Sequence, residues 1–177
     1  MGKKVLVVVD MQKDFVDGSL GTEEATKIVD AVVEKVKRFD GRVIFTRDTH
    51  GADYMETQEG KNLPVVHCVR DTAGWEIITP LEELRKELGA DCYNKPTFGC
   101  TRLAEDLKKE YEKGGLDSVE LVGLCTDICV VSNALLIKAF MPELPVSVDA
   151  ACCAGVTPEK HAAALETMRS CQIQVKG

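Results

Sequence analysis

The sequence predicts a three-layer α/β fold, a mainly parallel sheet with helices on both faces, on three observations. Apolar runs of strand length alternate with amphipathic helical patterns from end to end. The first run, KVLVVVD (4–10), is β-branched and apolar at successive positions, as a central parallel strand covered on both faces requires. No internal repeat or low-complexity linker breaks the alternation, and 177 residues is the size of one domain, so residues 1–177 are read as a single domain.

The elements follow in order. After strand 4–10, TEEATKIVDAVVEKVKRF (22–39) carries Thr22 as N-cap and acids in its first turn, with Ile28, Val29, Val32, Val33 and Val36 as its apolar stripe. RVIFTRD (42–48) is a second strand and ADCYNK (90–95) a third. TRLAEDLKKEYEKGG (101–115) is a helix with Thr101 as N-cap and a Gly-Gly stop. VELVG (119–123) is a strand, and TDICVVSNALLIKAF (126–140) a helix opened by Thr126. PVSVDA (145–150) is another strand, TPEKHAAALETMRS (157–170) has Thr157 as N-cap with Pro158 at N1, and IQV (173–175) closes the sheet. The long irregular stretch 48–79, rich in Gly, His, Thr and Asp, is read as a functional loop.

Charge and composition exclude several function classes. At 45% hydrophobic, 29% charged and a net charge of −7, the chain suits a soluble globular protein with no nucleic-acid or membrane partner. The apolar stretch of MGKKVLVVVD ends at Asp10, too short for a signal peptide or a membrane span. Leu6 leaves the Met1–Gly2 start without a complete myristoylation motif. Eight cysteines with no C-x-x-C pair fit neither a disulfide framework nor a structural zinc site; they read as reduced thiols of a cytoplasmic protein.

Open parallel sheets build their sites at the carboxyl ends of strands, and several polar residues stand there. Asp10 follows five apolar residues; it is either a desolvated proton acceptor or a cap for nearby backbone. Lys95 ends CYNK and either holds a neighbouring thiolate or oxyanion or is simply solvated. Asp48 and His50 in FTRDTH, with His67 further on, offer a carboxylate and two imidazoles for a metal ion, and Glu59 lies in the same loop. His161, the third histidine, falls on the last helix and is read as a surface residue. In LVGLCTDICVVS (121–132), Thr126 as N-cap puts Cys129 at the third helical position, where the helix-end field lowers a thiol's pKa and favours an oxyanion. Cys125 precedes the cap and lacks that field.

Taken together, these segments resemble the isochorismatase-like cysteine hydrolases, and within them the nicotinamidases. LVVVDMQKDFVDGSL, NKPTFGC, VGLCTDICVVSNA and VSVDAACCAG with EKHAAALETM are similar to the family's motifs, in order and over nearly the whole chain. The resemblance implies a Rossmann-like, six-stranded sheet and a catalytic triad of Asp10, Lys95 and Cys129. It also implies a cis Leu124–Cys125 peptide, with the backbone N–H groups of Cys125 and Cys129 as oxyanion hole. TRDTH and VVHCV resemble the nicotinamidase metal segment, which implies one divalent ion, zinc before iron or manganese, on Asp48, His50 and His67. Where many nicotinamidases have a further histidine this chain has Tyr54, and Glu59 is placed to serve instead. Phe15 matches the aromatic expected beside the substrate ring. Trp75 stands where the family more often has a small residue, as pocket wall or as ordinary packing.

The implied reaction is hydrolysis of nicotinamide to nicotinate and ammonia through a Cys129 thioester, with Asp10 moving the protons and the ion holding the pyridine nitrogen. The resemblance places it in NAD salvage, in a cytoplasmic homo-oligomer. Another small amide or carbamoyl substrate is the alternative within the family. A non-catalytic metal- or nucleotide-binding module is the alternative outside it, although no Gly-rich phosphate loop follows the first strand, where DMQKDF stands.

Overall fold

The computed structural model describes residues 3–177, so the Met1–Gly2 start and its reading as no acylation signal lie outside the described residues. Six strands, β1 (Lys4–Val9), β2 (Arg42–Asp48), β3 (Cys92–Lys95), β4 (Ser118–Leu124), β5 (Val146–Ala154) and β6 (Gln174–Lys176), form one sheet in the order β3-β2-β1-β4-β5-β6. Every pairing is parallel. The chain adds strands on one side of β1 and then, from β4 on, on the other. The crevice between the ends of β1 and β4 is therefore a topological switch point.

The doubly apolar first run has a direct structural cause. Val5, Val7 and Val9 pack into a core shared with Leu103, Leu107, Ala134 and Ile137. Leu6 and Val8 face the opposite core, with Val32, Val36 and Leu81. These partners come from helices α3 (Val29–Arg38) and α5 (Thr79–Glu87) on one face and α6 (Thr101–Glu112) and α7 (Val131–Phe140) on the other, the second face being completed by α8 (Pro158–Ser170). Short helices α1 (Lys13–Val16), α2 (Glu23–Lys27) and α4 (Gln58–Asn62) lie in the connections. Among the described residues no helix is long and apolar enough to cross a membrane.

Two predicted caps hold: Thr22 Oγ1 accepts the Ala25 N–H at 3.0 Å and Thr157 Oγ1 that of Lys160 at 3.2 Å. The helix predicted over 22–39 is instead two, broken at Ile28. Thr101 is the first residue of α6 rather than its cap; the Cys100 N–H before it is taken by Asn133 Oδ1 at 2.9 Å. Helix α5 was not predicted, because Thr79-Pro80 follows a segment whose irregular composition hides the start of the periodicity. Stretch 48–79 is irregular but anchored, with bridges pairing Gln12 to Ile77 and His50 to Val69.

Candidate active site

Asp10 follows β1 in the left-handed region, at φ 46°, and its carboxylate is fully buried. Thr46 on β2 holds it, donating from Oγ1 to Asp10 Oδ1 at 2.7 Å and accepting the Asp10 N–H at 3.2 Å. Lys95, the last residue of β3, is also fully buried; its Nζ lies 2.6 Å from Asp10 Oδ2, 3.3 Å from Asp48 Oδ1 and 3.3 Å from Cys129 Sγ. The solvated alternative for Lys95 is thereby removed. Asp10 Oδ2 sits beside that ammonium yet receives no well-directed hydrogen bond.

Burial sets the electrostatics of all three groups. It raises the Asp10 pKa, against the pull of Lys95. For Lys95 burial opposes the charge, but Asp10, Cys129 and Asp48 outweigh it and hold the ammonium protonated. Burial likewise pushes the Cys129 thiol well above its ordinary value; the neighbouring Asp10 adds to this and Lys95 opposes it. This corrects the expectation of a thiol lowered by the helix end: a fully enclosed sulfur loses more in solvation than a helix terminus returns.

The local backbone also differs from the predicted helix start. The Leu124–Cys125 peptide is cis. Cys125, not Thr126, is the N-cap residue, without a side-chain cap bond, and Thr126–Val130 is a π-turn that runs into α7. The Thr126 hydroxyl is unavailable for capping because it is bonded to His161 Nδ1 at 2.7 Å, so His161 is half-buried rather than a surface residue. The Cys125 carbonyl accepts the N–H groups of Ile128 at 3.0 Å and Val130 at 3.1 Å, and not that of Cys129 between them.

A second group stands beside the first. One ligand atom each from Asp48, His50, Glu59 and His67 lies within 4.8 Å of all the others, an arrangement that can hold a metal ion. Asp48 serves both groups, with Oδ1 toward Lys95 and Oδ2 3.0 Å from His50 Nε2 and 3.7 Å from His67 Nε2. Glu59 Oε1 is 3.7 and 3.8 Å from the same two nitrogens. His67 Nδ1 is 2.8 Å from the Val65 carbonyl; donating there leaves Nε2 with its lone pair facing the group, as a ligand imidazole needs. Two imidazoles and two carboxylates therefore fit a divalent ion. Tyr54 packs its ring 4.7 and 4.9 Å from the two imidazoles.

Both groups open on one cavity of about 250 Å³, lined by Phe15, Leu20, Leu63, His67, Cys125 and Cys129 among others. Phe15 thus lines the cavity, its ring 5.5 Å from that of His67. Trp75 does not: it lines a separate cleft, stacked under Arg47 at 3.6 Å with its Nε1 donating to Thr49. A larger cavity of about 520 Å³ lies at the amino ends of the strands between Lys35, Glu120 and Lys176, far along the sheet from the thiol.

Two residues that build the site escaped the sequence reading. Gln12 clamps the Asp48 backbone, accepting its N–H at 2.7 Å and donating to its carbonyl at 2.9 Å. Asp14 accepts the Cys68 N–H at 2.8 Å, pinning the residue after His67. Both stand in DMQKDF, whose polar density beside a strand end was the available signal.

Fold and site define a class, a parallel α/β enzyme scaffold with a buried carboxylate–ammonium–thiol set at the carboxyl edge of its sheet. The isochorismatase domain matches residues 4–176, and the chain belongs to that family. It is 28% identical to the nicotinamidase/pyrazinamidase of Mycobacterium tuberculosis, over 97% of each chain. The crystal structure of a nicotinamidase from Bacillus subtilis superposes with a TM-score of 0.84 at 27% identity, over 99% of each chain. That of a pyrazinamidase from Pyrococcus horikoshii in complex with zinc gives 0.77 at 29% identity, over 98% of each.

Proposed function

We propose that this chain hydrolyses nicotinamide to nicotinate and ammonia, with Cys129 as nucleophile, Asp10 as acid–base and Lys95 as the fixed charge between them. The observation that carries the reading is the Lys95 ammonium, within 3.3 Å of Asp10, Asp48 and the Cys129 sulfur, the last two of which line one largely apolar cavity. The names of the relatives in M. tuberculosis and B. subtilis supply the substrate class.

The thiol is protonated at rest, because burial disfavours its thiolate. Its proton passes to Asp10, whose raised pKa makes it a better base and whose Oδ2 has no directed donor. Lys95 stabilises the sulfur anion as it forms. The sulfur attacks the amide carbonyl, and the backbone N–H groups of Cys125 and Cys129 are the donors proposed for the oxyanion. Collapse breaks the C–N bond, Asp10 returns its proton to the leaving ammonia, and a thioester remains on Cys129. Water, deprotonated by Asp10, attacks that thioester; Asp10 returns this proton to the departing sulfur, and the acid leaves as its carboxylate, its own proton passing to the released ammonia or to solvent. Phe15 and Leu20 hold the ring and exclude bulk water. An ion bound by Asp48, His50, Glu59 and His67 would supply a Lewis-acidic position on that wall, which zinc, iron and manganese all suit. By likeness to the zinc-bound relative, zinc is the ion proposed. The reading extends to one domain carrying the whole activity, in a cytoplasmic homo-oligomer of NAD salvage, on resemblance alone.

Ammonia release by the metal-replete enzyme should be fastest with nicotinamide and pyrazinamide among a panel that includes N-carbamoyl compounds. A preference for the carbamoyl compounds would transfer the same chemistry to the other substrate class. Metal binding without ammonia from any of them would leave a binding module.

A further inference from the structure

One side chain reaches the nucleophile turn from outside and has no part in the steps above. His161, the fourth residue of α8, places Nδ1 2.7 Å from the Oγ1 of Thr126, itself fully buried at the head of the π-turn. A second tie runs beside it: Asp127 Oδ1 accepts the Val156 N–H at 2.9 Å. Gly155 packs against the start of α8 so tightly that a Cβ there would stand 2.7 Å from the His161 backbone nitrogen. The turn thus supplies no side-chain cap of its own at Cys125 and is fastened instead at Thr126 and Asp127, from residues 156 and 161. These two attachment points lie between the proposed oxyanion donors, Cys125 and Cys129.

Resting on the cysteine-hydrolase reading above, we infer that His161 is a positioning residue: through the Thr126 hydroxyl it holds the turn that aims the Cys129 sulfur and the two backbone donors. Burial favours its neutral imidazole, which can accept the hydroxyl proton at Nδ1. Rate is the sensitive readout of such a contact. One hydrogen bond contributes about 1 kcal/mol to stability, whereas a displacement of about 1 Å at reacting atoms costs roughly a hundredfold in rate.

The test is steady-state hydrolysis of nicotinamide by the full-length, metal-replete enzyme carrying His161→Leu, Thr126→Val, both together, or His161→Asn. Each of the first two should lower kcat roughly ten- to hundredfold with KM little changed. The double variant should be no slower than the slower single one, since both remove one contact. His161→Asn, which keeps a polar atom where Nδ1 stands, should recover most of the rate. A wild-type kcat in His161→Leu, losses that multiply in the double variant, or no recovery with Asn would each overturn the inference. Alkylation of Cys129 by iodoacetamide, followed by mass, reads the same geometry without substrate. Its rate should shift several-fold in His161→Leu, and an unchanged rate counts against the inference. Absence of ammonia release by the wild type is a different failure, that of the function itself.

Discussion

Lys95 is fully buried, and Asp10, Asp48, the Thr97 carbonyl and the Cys129 sulfur, all within 3.3 Å, explain how it stays charged there. An isolated buried ammonium would lose its proton; the carboxylates of Asp10 and Asp48 reverse that preference. In the proposed mechanism only one of the two cysteines of LCTDIC supplies sulfur. Cys129→Ala should therefore abolish ammonia release, while Cys125→Ala, which keeps its backbone N–H, should retain a large part of it; the reverse pattern would exchange their roles. Cys125 is itself pushed up to about 12, mainly by burial, so it stays a thiol. The acid limb of the pH profile tests Asp10. The ionised carboxylate is the working form and its folded-state pKa is raised, so kcat/KM should fall as pH drops through a value above the ordinary aspartate range of about 3.9. An acid limb at or below that range would contradict the assignment.

Elements decide where these side chains can meet. Gly123 lies near the end of β4 at φ 113°, and a Cβ there would sit 2.2 Å from the Val9 carbonyl oxygen of β1. Only glycine lets the two strand ends approach where Asp10 and Cys125 leave them, so Gly123→Ala should cost about 2 kcal/mol or more in denaturant unfolding. Loss of less than half of that would mean the strands separate freely. In the loop after β2, Glu59→Gln removes one of the two carboxylate charges in the proposed four-residue ligand set and should lower metal content and the thermal stabilisation that added zinc confers, both measurable without substrate. Strand ends were legible in the sequence because an apolar run must stop at a polar residue; Asp10, Asp48 and Lys95 were found that way. Helix starts were less so. Thr22 and Thr157 cap as their type suggests, but Thr126 spends its hydroxyl on His161, 35 residues away, and sequence pattern carries no trace of that partner. The same holds for Gln12, whose clamp on Asp48 spans 36 residues.

At the scale of the molecule, the order β3-β2-β1-β4-β5-β6 gathers residues 10, 48, 95 and 129 from four separate segments at one switch point. The alternation of apolar runs and helical patterns made that architecture readable, since each parallel strand demands a covering helix on one face or the other. What alternation could not convey is depth. A strand-end lysine looks solvated until the neighbouring loops are placed over it, and a helix-end thiol looks acidic until its burial is known. The central claim is that Cys129 carries the acyl group during turnover. Intact-protein and peptide mass spectrometry of enzyme quenched in acid while turning over nicotinamide should show one added nicotinoyl group, on the peptide containing Cys129 and absent from Cys129→Ala. Turnover with no adduct on that peptide, or ammonia release that survives Cys129→Ala, would contradict it.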